Sequence, residues 1–361
     1  MSVENLVLPS GDIIVAHRFG NPGMRPFVYL QGGLHADEVS STVALEQLVR
    51  LLGELIGGSC IRGEIVVLPH CNPIGLKQFL LGRHQGRFSL SDGRNFNRGF
   101  PDMAAMLRPV LDAPSAGFGR DRVAELGRHI LTRQGTTGPT RALQAELMRL
   151  SWGADYVIDV HADMEASVHI YSSAESWAKL RTVAGRLNAR VVILAEESAD
   201  RPFDEAHSRA WQDLGLPSST ASCTLELRGL SDVSAETASN DALGLLHFLG
   251  DIGAVEVAAP SPPDLDTKTI SLEDLEFIES PQSGIVMHLV DVGAPVTKGD
   301  IVARIFDPTN PRLDRAWTDV ATQRDGCVFA RWHQRVIQAG MPICKIAGSG
   351  LGGKRETRLA D

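Results

Sequence analysis

Short apolar segments alternate with longer helical patterns up to about residue 250, and this alternation limits the fold more than any other feature. The predicted strands are Asp12–Ala16, Phe27–Leu30, Ile65–Leu68, Tyr156–Val160, Val191–Leu194 and Cys223–Leu227, and the predicted helices are Val39–Leu55, Thr140–Trp152, Ala174–Leu187 and Ala235–Leu249. Strands that alternate with helices predict an α/β layer fold with a largely parallel sheet flanked by helices. Such sheets carry their functional sites at the carboxyl ends of the strands.

The composition changes near residue 255. Residues 256–267 are rich in proline, alanine and aspartate, which predicts a linker between an α/β domain at 1–255 and a second domain at 268–348. Residues 349–361 are rich in glycine and charge, and they are predicted to form a disordered tail.

The second domain contains an internal repeat. Gly284-Ile-Val286, followed by a valine, a glycine and a strand, matches Gly326-Cys-Val328 and the residues after it. This repeat of β-hairpins resembles the barrel-sandwich fold of biotinyl and lipoyl carrier domains. The segment between the halves, Phe306 to Asp314, has no lysine, which argues against a carrier. We therefore expect a β-rich domain that restricts access to a site and does no chemistry.

Net charge, targeting signals and cysteine content limit the classes of partner and the location that the sequence predicts. The net charge of −9 argues against binding to nucleic acid and to anionic membranes. The amino terminus does not read as a signal peptide, and no apolar run is long enough to span a bilayer. The five cysteines include no C-x-x-C pair, which predicts reduced thiols in a cytoplasmic protein. The sequence leaves open whether the protein forms a homo-oligomer.

A histidine and a glutamate follow the second predicted strand in "LQGGLHADEVSS". Alone, His35 and Glu38 fit either the polar start of a helix or a metal site, because an acid in the first turn is favoured by the helix dipole. Their place after a strand and before a helix favours the metal site. An imidazole and a carboxylate suit zinc, and catalytic zinc takes three protein ligands plus water.

His161 supplies a third ligand, because it falls just beyond the end of the predicted strand Tyr156–Val160. A hydrogen-bonded loop histidine is the alternative. Three aspartates, Asp37, Asp159 and Asp163, are candidates to accept the second N–H of a bound imidazole.

Two other stretches carry polar groups that could act on a substrate. In "GRFSLSDGRNFNRGFPD", Arg87, Asn97 and Arg98 form either a plain turn-rich loop or an anion pocket, since guanidinium binds carboxylate in a bidentate manner. In "SCTLELRG", Glu226 lies inside an apolar strand, where a charge is costly unless it is paired or functional. A surface-facing glutamate is the alternative.

The order of these motifs resembles a known family. His35-Ala-Asp-Glu38, Asn95-Phe-Asn97-Arg98-Gly-Phe-Pro101, Val160-His161 and Thr224-Leu-Glu226-Leu occur in the order found in zinc carboxypeptidases. The chain is more similar to their succinylglutamate desuccinylase/aspartoacylase branch, and the likeness covers nearly the whole chain. It implies a carboxypeptidase-like sheet followed by a β-rich, barrel-sandwich-like domain.

The resemblance also implies roles. His35, Glu38 and His161 match the ligands of one Zn²⁺ per chain, and Glu226 matches the catalytic glutamate. Asn97 and Arg98 match the pair that holds the substrate carboxylate. Arg87 resembles the arginine that polarises the scissile carbonyl, with Arg83 and Arg94 as alternatives.

The implied reaction is hydrolysis of the amide bond of a small N-acyl amino acid by a zinc-dependent deacylase. A metallocarboxypeptidase acting on short peptides is the main alternative, because the same residues would serve it. A metal-binding protein without catalysis is a third, and the presence of Glu226 argues against it. Spacing does not identify the acyl group or the amino acid.

Overall fold

The computed structural model describes residues 1–348 except 59, 112–118, 134, 136, 198–199, 217–218 and 263–266. The predicted tail, 349–361, lies outside the described residues, as does part of the predicted linker. The helices are α1 (Val39–Glu54), α2 (Pro73–Leu76), α3 (Met103–Leu107), α4 (Arg120–Arg133), α5 (Pro139–Ser151), α6 (Ala174–Leu187), α7 (Phe203–Asp213) and α8 (Ala235–Asp251). The strands are β1 (Ser2–Val7), β2 (Ile13–Phe19), β3 (Phe27–Gly32), β4 (Glu64–Leu68), β5 (Phe79–Leu80), β6 (Arg83–His84), β7 (Tyr156–Asp163), β8 (Glu165–Ala166), β9 (His169–Ser172), β10 (Val191–Leu194), β11 (Ala221–Gly229), β12 (Lys268–Ser271), β13 (Leu275–Glu279), β14 (Gly284–His288), β15 (Pro295–Val296), β16 (Ile301–Phe306), β17 (Trp317–Ala321), β18 (Gly326–Arg331), β19 (Val336–Ile337) and β20 (Pro342–Gly348).

A nine-stranded sheet organises the α/β region in the order β1-β2-β4-β3-β7-β11-β9-β10-β12. The pairs from β4 through β3 and β7 to β11 are parallel, as are β9-β10 and β10-β12. The pairs β1-β2, β2-β4 and β9-β11 are antiparallel. The predicted α/β fold with a largely parallel sheet is confirmed.

Helices cover both faces of this sheet, which explains the apolar runs in the central strands. Successive residues of β3 point to opposite sides: Val28 and Leu30 pack in a core with α1, α6 and α8. Phe27 and Tyr29 pack in a second core with α3, α4, α5 and α7. None of the described helices is both long and apolar enough to cross a membrane.

The predicted elements are confirmed where apolar patterning is strong. The structure reproduces the predicted bounds of α6 and β10, and the other predicted elements differ mainly at their ends. β1 and α7 were not predicted from the sequence, because most of β1 is exposed and α7 is rich in charged residues.

The β-rich region confirms the internal repeat. One sheet has the order β13-β20-β18-β15 and the other the order β17-β16-β14-β19. The short strand of each repeat pairs with a strand of the other repeat: β15 pairs with β18, and β19 pairs with β14. Gly284 and Gly326 occupy equivalent positions, where a Cβ would meet the carbonyl oxygen of Phe306 or Ala347. The glycine of each G-x-V motif is therefore required by close backbone approach.

The two regions are joined by strand pairing. β12 follows the predicted linker yet extends the nine-stranded sheet beside β10, and β8 of the α/β region pairs with β18. Apolar residues from both sides, including Tyr171, Ile270 and Phe329, share one cluster. The division into separate domains at 1–255 and 268–348 stays a prediction.

Candidate metal centre and active site

His35, Glu38 and His161 meet in a buried cluster, and one ligand atom from each lies within 4.8 Å of the others. Glu38 lies between the imidazoles: Oε1 is 2.8 Å from His35 Nδ1, and Oε2 is 2.7 Å from His161 Nδ1. The structure thus brings His161 to the predicted ligands His35 and Glu38, although it lies 123 positions after Glu38.

The outer nitrogen of each imidazole has its own acceptor. His35 Nε2 lies 2.8 Å from Asn95 Oδ1, and His161 Nε2 lies 2.8 Å from Asp159 Oδ2. If each Nε2–H donates outward, both Nδ1 lone pairs face the Glu38 carboxylate, an arrangement that a cation between them would satisfy. This set of two nitrogens and a carboxylate fits a divalent metal ion.

Of the three predicted aspartates, Asp159 is therefore the one that contacts a ligand imidazole. Asp163 instead pairs with Lys345. Asn95 was not among the predicted site residues, and its sequence signal was only its position in the N-F-N-R motif.

Charge within the cluster shifts the titration of its members. Burial opposes ionisation of Glu38, but His35 and His161 lower the pKa of its carboxyl well below the ordinary value. Burial also disfavours the charged form of His161, yet Asp159 and Glu38 raise its pKa well above the usual range. Burial, aided by the Arg87 guanidinium, lowers the pKa of His35. The Glu38 carboxyl therefore stays ionised between the two imidazoles, as a metal-binding carboxylate must be.

Glu38 occupies the N-cap position of α1, but its side chain makes no capping hydrogen bond. Its Oε2 accepts instead from the backbone N–H of Ala162 at 3.0 Å, which ties α1 to β7. This contact favours the metal-site interpretation of the H-x-x-E motif over a simple helix start.

The register between β7 and β11 places Glu226 beside His161. His161 was predicted just beyond the end of its strand, and that detail is wrong, because pairing with β11 extends β7 to Asp163. The ladder shifts register between Glu226 and Gly229, as irregular strands near functional sites often do. Glu226 then faces the cleft.

The cleft encloses about 790 Å³, part of it open to solvent. Glu226, Arg87, Asn97 and Arg98 line it together with His35 and His161. Burial, together with the neighbouring Glu38 carboxylate, raises the pKa of Glu226 to about 8. All seven candidate site residues therefore lie in the cleft or in its metal-ligand cluster.

Arg87 is held close to the ligand cluster. Its guanidinium lies 3.2 Å from Glu38 Oε1 and 3.2 Å from His35 Nδ1. The preceding Gly86 lies against the ligand loop, where a Cβ would collide with the backbone of Asp37. Of the alternatives, Arg83 lies in the short hairpin strand β6, and exposed Arg94 faces Asp92. Arg87 is therefore the best placed of the three arginines.

Asn97 and Arg98 form another part of the cleft wall. Asn97 Oδ1 accepts from the N–H of Phe203 at 2.8 Å, so the N-F-N-R loop is fixed to the start of α7. Arg98 donates to the carbonyl of Asn97 at 2.8 Å. Adjacent amide and guanidinium groups can bind a carboxylate.

Tyr171, Asp204 and Lys345 also line the cleft and were not among the site residues predicted from the sequence. Burial, with Asp159 and Glu205 nearby, raises the pKa of Asp204 to about 7. Lys345 belongs to the β-rich region, and its signal was a single charge inside an apolar strand, the same signal that identified Glu226.

Comparison with known proteins now decides the family. Residues 25–252 match the succinylglutamate desuccinylase/aspartoacylase catalytic domain. The chain belongs to this family. The resemblance drawn from its motifs is thereby confirmed.

Relatives in and near the desuccinylase/aspartoacylase family match almost the whole chain. The N-alpha-acetyl-L-2,4-diaminobutyric acid deacetylase of Halomonas elongata is 24% identical over 336 residues, 90% of this chain and 83% of that protein. A crystal structure of a family protein from Shewanella amazonensis has a TM-score of 0.81 and 22% identity, covering 96% of this chain and 98% of that one. The product-bound ectoine utilization protein EutE (DoeB) of Ruegeria pomeroyi has a TM-score of 0.67 and 18% identity, covering 96% of this chain and 93% of that one. At these identities, likeness to the solved structures establishes the fold alone.

Proposed function

We propose that the protein is a zinc-dependent hydrolase that cleaves the amide bond of N-acyl amino acids, giving a carboxylic acid and a free amino acid. The observation that carries the proposal is one cleft that combines a His-Glu-His ligand cluster with Glu226 and with Arg87, Asn97 and Arg98. The family supports a small acylated substrate.

His35, Glu38 and His161 would hold one zinc ion per chain. Two imidazoles and a carboxylate are a ligand set found in catalytic zinc sites, where the fourth position is left for water. A bound zinc ion polarises the substrate carbonyl and lowers the pKa of its water toward about 7.

Glu226 would act as the general base and later as the acid. Its carboxylate lies in the cleft beside His161, and burial raises its pKa to about 8. A carboxylate with a raised pKa can accept a proton from water and return it to the leaving amine near neutral pH.

Arg87 would stabilise negative charge on the carbonyl oxygen during attack. It lies against the ligand cluster and is partly exposed to the cleft. Loss of one donor of this kind typically lowers the rate by about 10²–10³-fold.

Asn97 and Arg98 would bind the α-carboxylate of the substrate and so select which amide bond faces the ligands. A free carboxylate next to the scissile amide is what distinguishes an N-acyl amino acid from an internal peptide bond. The Halomonas elongata relative, named as a deacetylase of an N-acetylated amino acid, supports the same choice.

A substrate panel tests the proposal. The purified protein is incubated with N-acetyl and N-succinyl amino acids, N-acetyl-diaminobutyrate included, and with dipeptides, and release of free amine is measured. We expect hydrolysis of at least one N-acyl amino acid, its loss with a chelator, and its recovery when zinc is added back.

Two results would contradict it. Faster cleavage of dipeptides than of every N-acyl amino acid would favour the carboxypeptidase alternative. Hydrolysis that survives complete removal of metal would exclude a metal-dependent reaction.

A further inference from the structure

Lys345 is an unusual charge in the β-rich region. It lies in the interior of β20 between Cys344 and Ile346, both buried, and its side chain is only 15% exposed. Its strand neighbours are Phe277 on β13 and Ala330 on β18. Burying an ammonium group in such a setting is costly unless partners compensate.

One partner is Asp163, whose Oδ2 accepts from Lys345 Nζ at 2.6 Å. The other oxygen of Asp163 accepts from the N–H of Met164 at 2.8 Å. Asp163 ends β7, the strand that carries His161. The ion pair therefore fixes the last strand of the β-rich region to a strand of the metal cluster.

This pairing does not account for the whole environment of Lys345. An ammonium group has three N–H donors: Asp163 Oδ2 accepts one of them, and the buried hydroxyl of Tyr171 is a second neighbour. Lys345 also lines the cleft, as does Glu226. Among the described residues, Glu226 Oε2 is buried and accepts no hydrogen bond.

Charges around Glu226 oppose one another. The carboxylates of Glu38 and Asp163 repel a charged Glu226, whereas His161 and Lys345 attract it. His161 is shared with Glu38 and Asp159, to which it is hydrogen-bonded. Of the two groups that attract Glu226, Lys345 is the one that lies outside the ligand cluster.

We propose that Lys345 is a positioning residue: its ammonium group, anchored by Asp163, holds the Glu226 carboxylate toward the cleft against repulsion from Glu38. The proposal rests on the proposed function, in which Glu226 moves the proton. It also replaces the expectation that the β-rich region does no chemistry, because the active site is complete only when β20 is in place.

The test uses the full-length, zinc-loaded protein and the N-acetyl amino acid that the wild type hydrolyses fastest. Lys345→Met is compared with Lys345→Arg and with the double variant Asp163→Asn/Lys345→Met, which removes both charges of the ion pair. Glu226→Gln is measured alone and in combination with Lys345→Met. Lys268→Met is the matched control, since Lys268 Nζ contacts the Ala347 carbonyl of the same strand at 3.4 Å but does not line the cleft. Zinc content and Tm are measured for every variant.

We expect Lys345→Met to lower kcat about tenfold or more with little change in KM, and Lys345→Arg to recover part of the loss. The double variant Asp163→Asn/Lys345→Met should stay as inactive as Lys345→Met, even where it restores Tm. In the Glu226→Gln background, Lys345→Met should cost little more, because the group that it positions is already disabled.

Recovery of kcat in the double variant Asp163→Asn/Lys345→Met would show that Lys345 only neutralises Asp163, and would overturn the proposal. An equal loss from Lys345→Met with and without Glu226 would also overturn it. Both results leave the proposed hydrolysis standing. Full activity in Glu226→Gln, or no hydrolysis by the wild type, would instead contradict the proposed function on which this inference rests.

Discussion

The α/β region brings polar groups to the cleft from loops as well as from strands, whereas the β-rich region contributes Lys345 from the interior of its last strand. His35 and Glu38 lie on the loop between β3 and α1, and the N-F-N-R motif lies on another loop. Lys345 instead lies in the interior of β20. A parallel sheet gathers loops at one edge, so its site is built from segments that can vary without disturbing the core. The β-rich region contributes Lys345 from a strand whose neighbouring residues are buried, so its contribution is tied to its core.

Removal of a ligand in the α/β region should have the largest effect. His35→Ala and His161→Ala each delete one of three ligands, so metal occupancy should collapse and activity should fall roughly 10⁴-fold, because acid–base and electrostatic contributions are lost together. Metal analysis and amine release measure both. His84→Ala is the matched control, because it removes a histidine that contacts the Gly75 carbonyl and the Phe79 ring and lies outside the ligand cluster. Full zinc occupancy in both ligand variants would exclude the site.

Glu226→Gln should have the next largest effect and should separate chemistry from metal binding. The amide keeps the shape of the side chain but cannot accept the proton, so kcat should fall by at least about 10²-fold while zinc content is retained. Zinc content and kcat are measured on the same preparation. An unchanged kcat in Glu226→Gln would show that Glu226 is not the general base.

Arg98→Ala should act on the substrate and not on the metal. Arg98 is partly exposed, so we expect a loss of about 2 kcal/mol in kcat/KM for substrates with a free carboxylate. The corresponding amide should lose little further, because the partner charge is already absent. Arg94→Ala on the same loop is the control. Equal loss for the acid and the amide would make Arg98 a structural residue.

The smallest expected effect is a difference between the two regions in how much a buried histidine lowers stability at acidic pH. His207, buried in the α/β region, has a pKa that burial lowers from 6.5 to about 4. Between these values the unfolded chain binds more protons, so stability falls as the pH drops, by about 1–3 kcal/mol. His207→Gln should reduce the fall in Tm from pH 7 to pH 5 more than His288→Gln does, since His288 of the β-rich region is only partly buried. If both substitutions reduce the fall in Tm equally, the two regions do not differ in the acid sensitivity of these histidines.

The sequence was most informative where burial alone determines which residue types a segment contains. Burial on both faces makes β4 and β10 continuous apolar runs, so these strands could be predicted without any partner. The metal ligands could be predicted because His35 and Glu38 follow the apolar strand β3, and His161 directly follows the apolar run at the start of β7.

Residues whose roles depend on tertiary contacts could not be predicted in this way. Asn95 is 60 positions from the histidine that it contacts, and nothing local marks it as an acceptor. Lys345 carried the same signal as Glu226, a charge in an apolar strand, but its partner Asp163 lies 182 positions away. The prediction that its region does no chemistry rests on a repeat pattern, which describes the fold and not the position of one side chain.

The pairing of β12 with β10 has a consequence for solubility. β10 is an apolar strand, and β12 hydrogen-bonds along its full length. β12 itself is short and exposes Lys268 and Thr269, features that discourage further strand addition. A chain that stops before Lys268 would leave the edge of β10 bare and able to pair with another molecule. The first 255 residues, expressed alone, should therefore aggregate even though they contain every candidate zinc ligand.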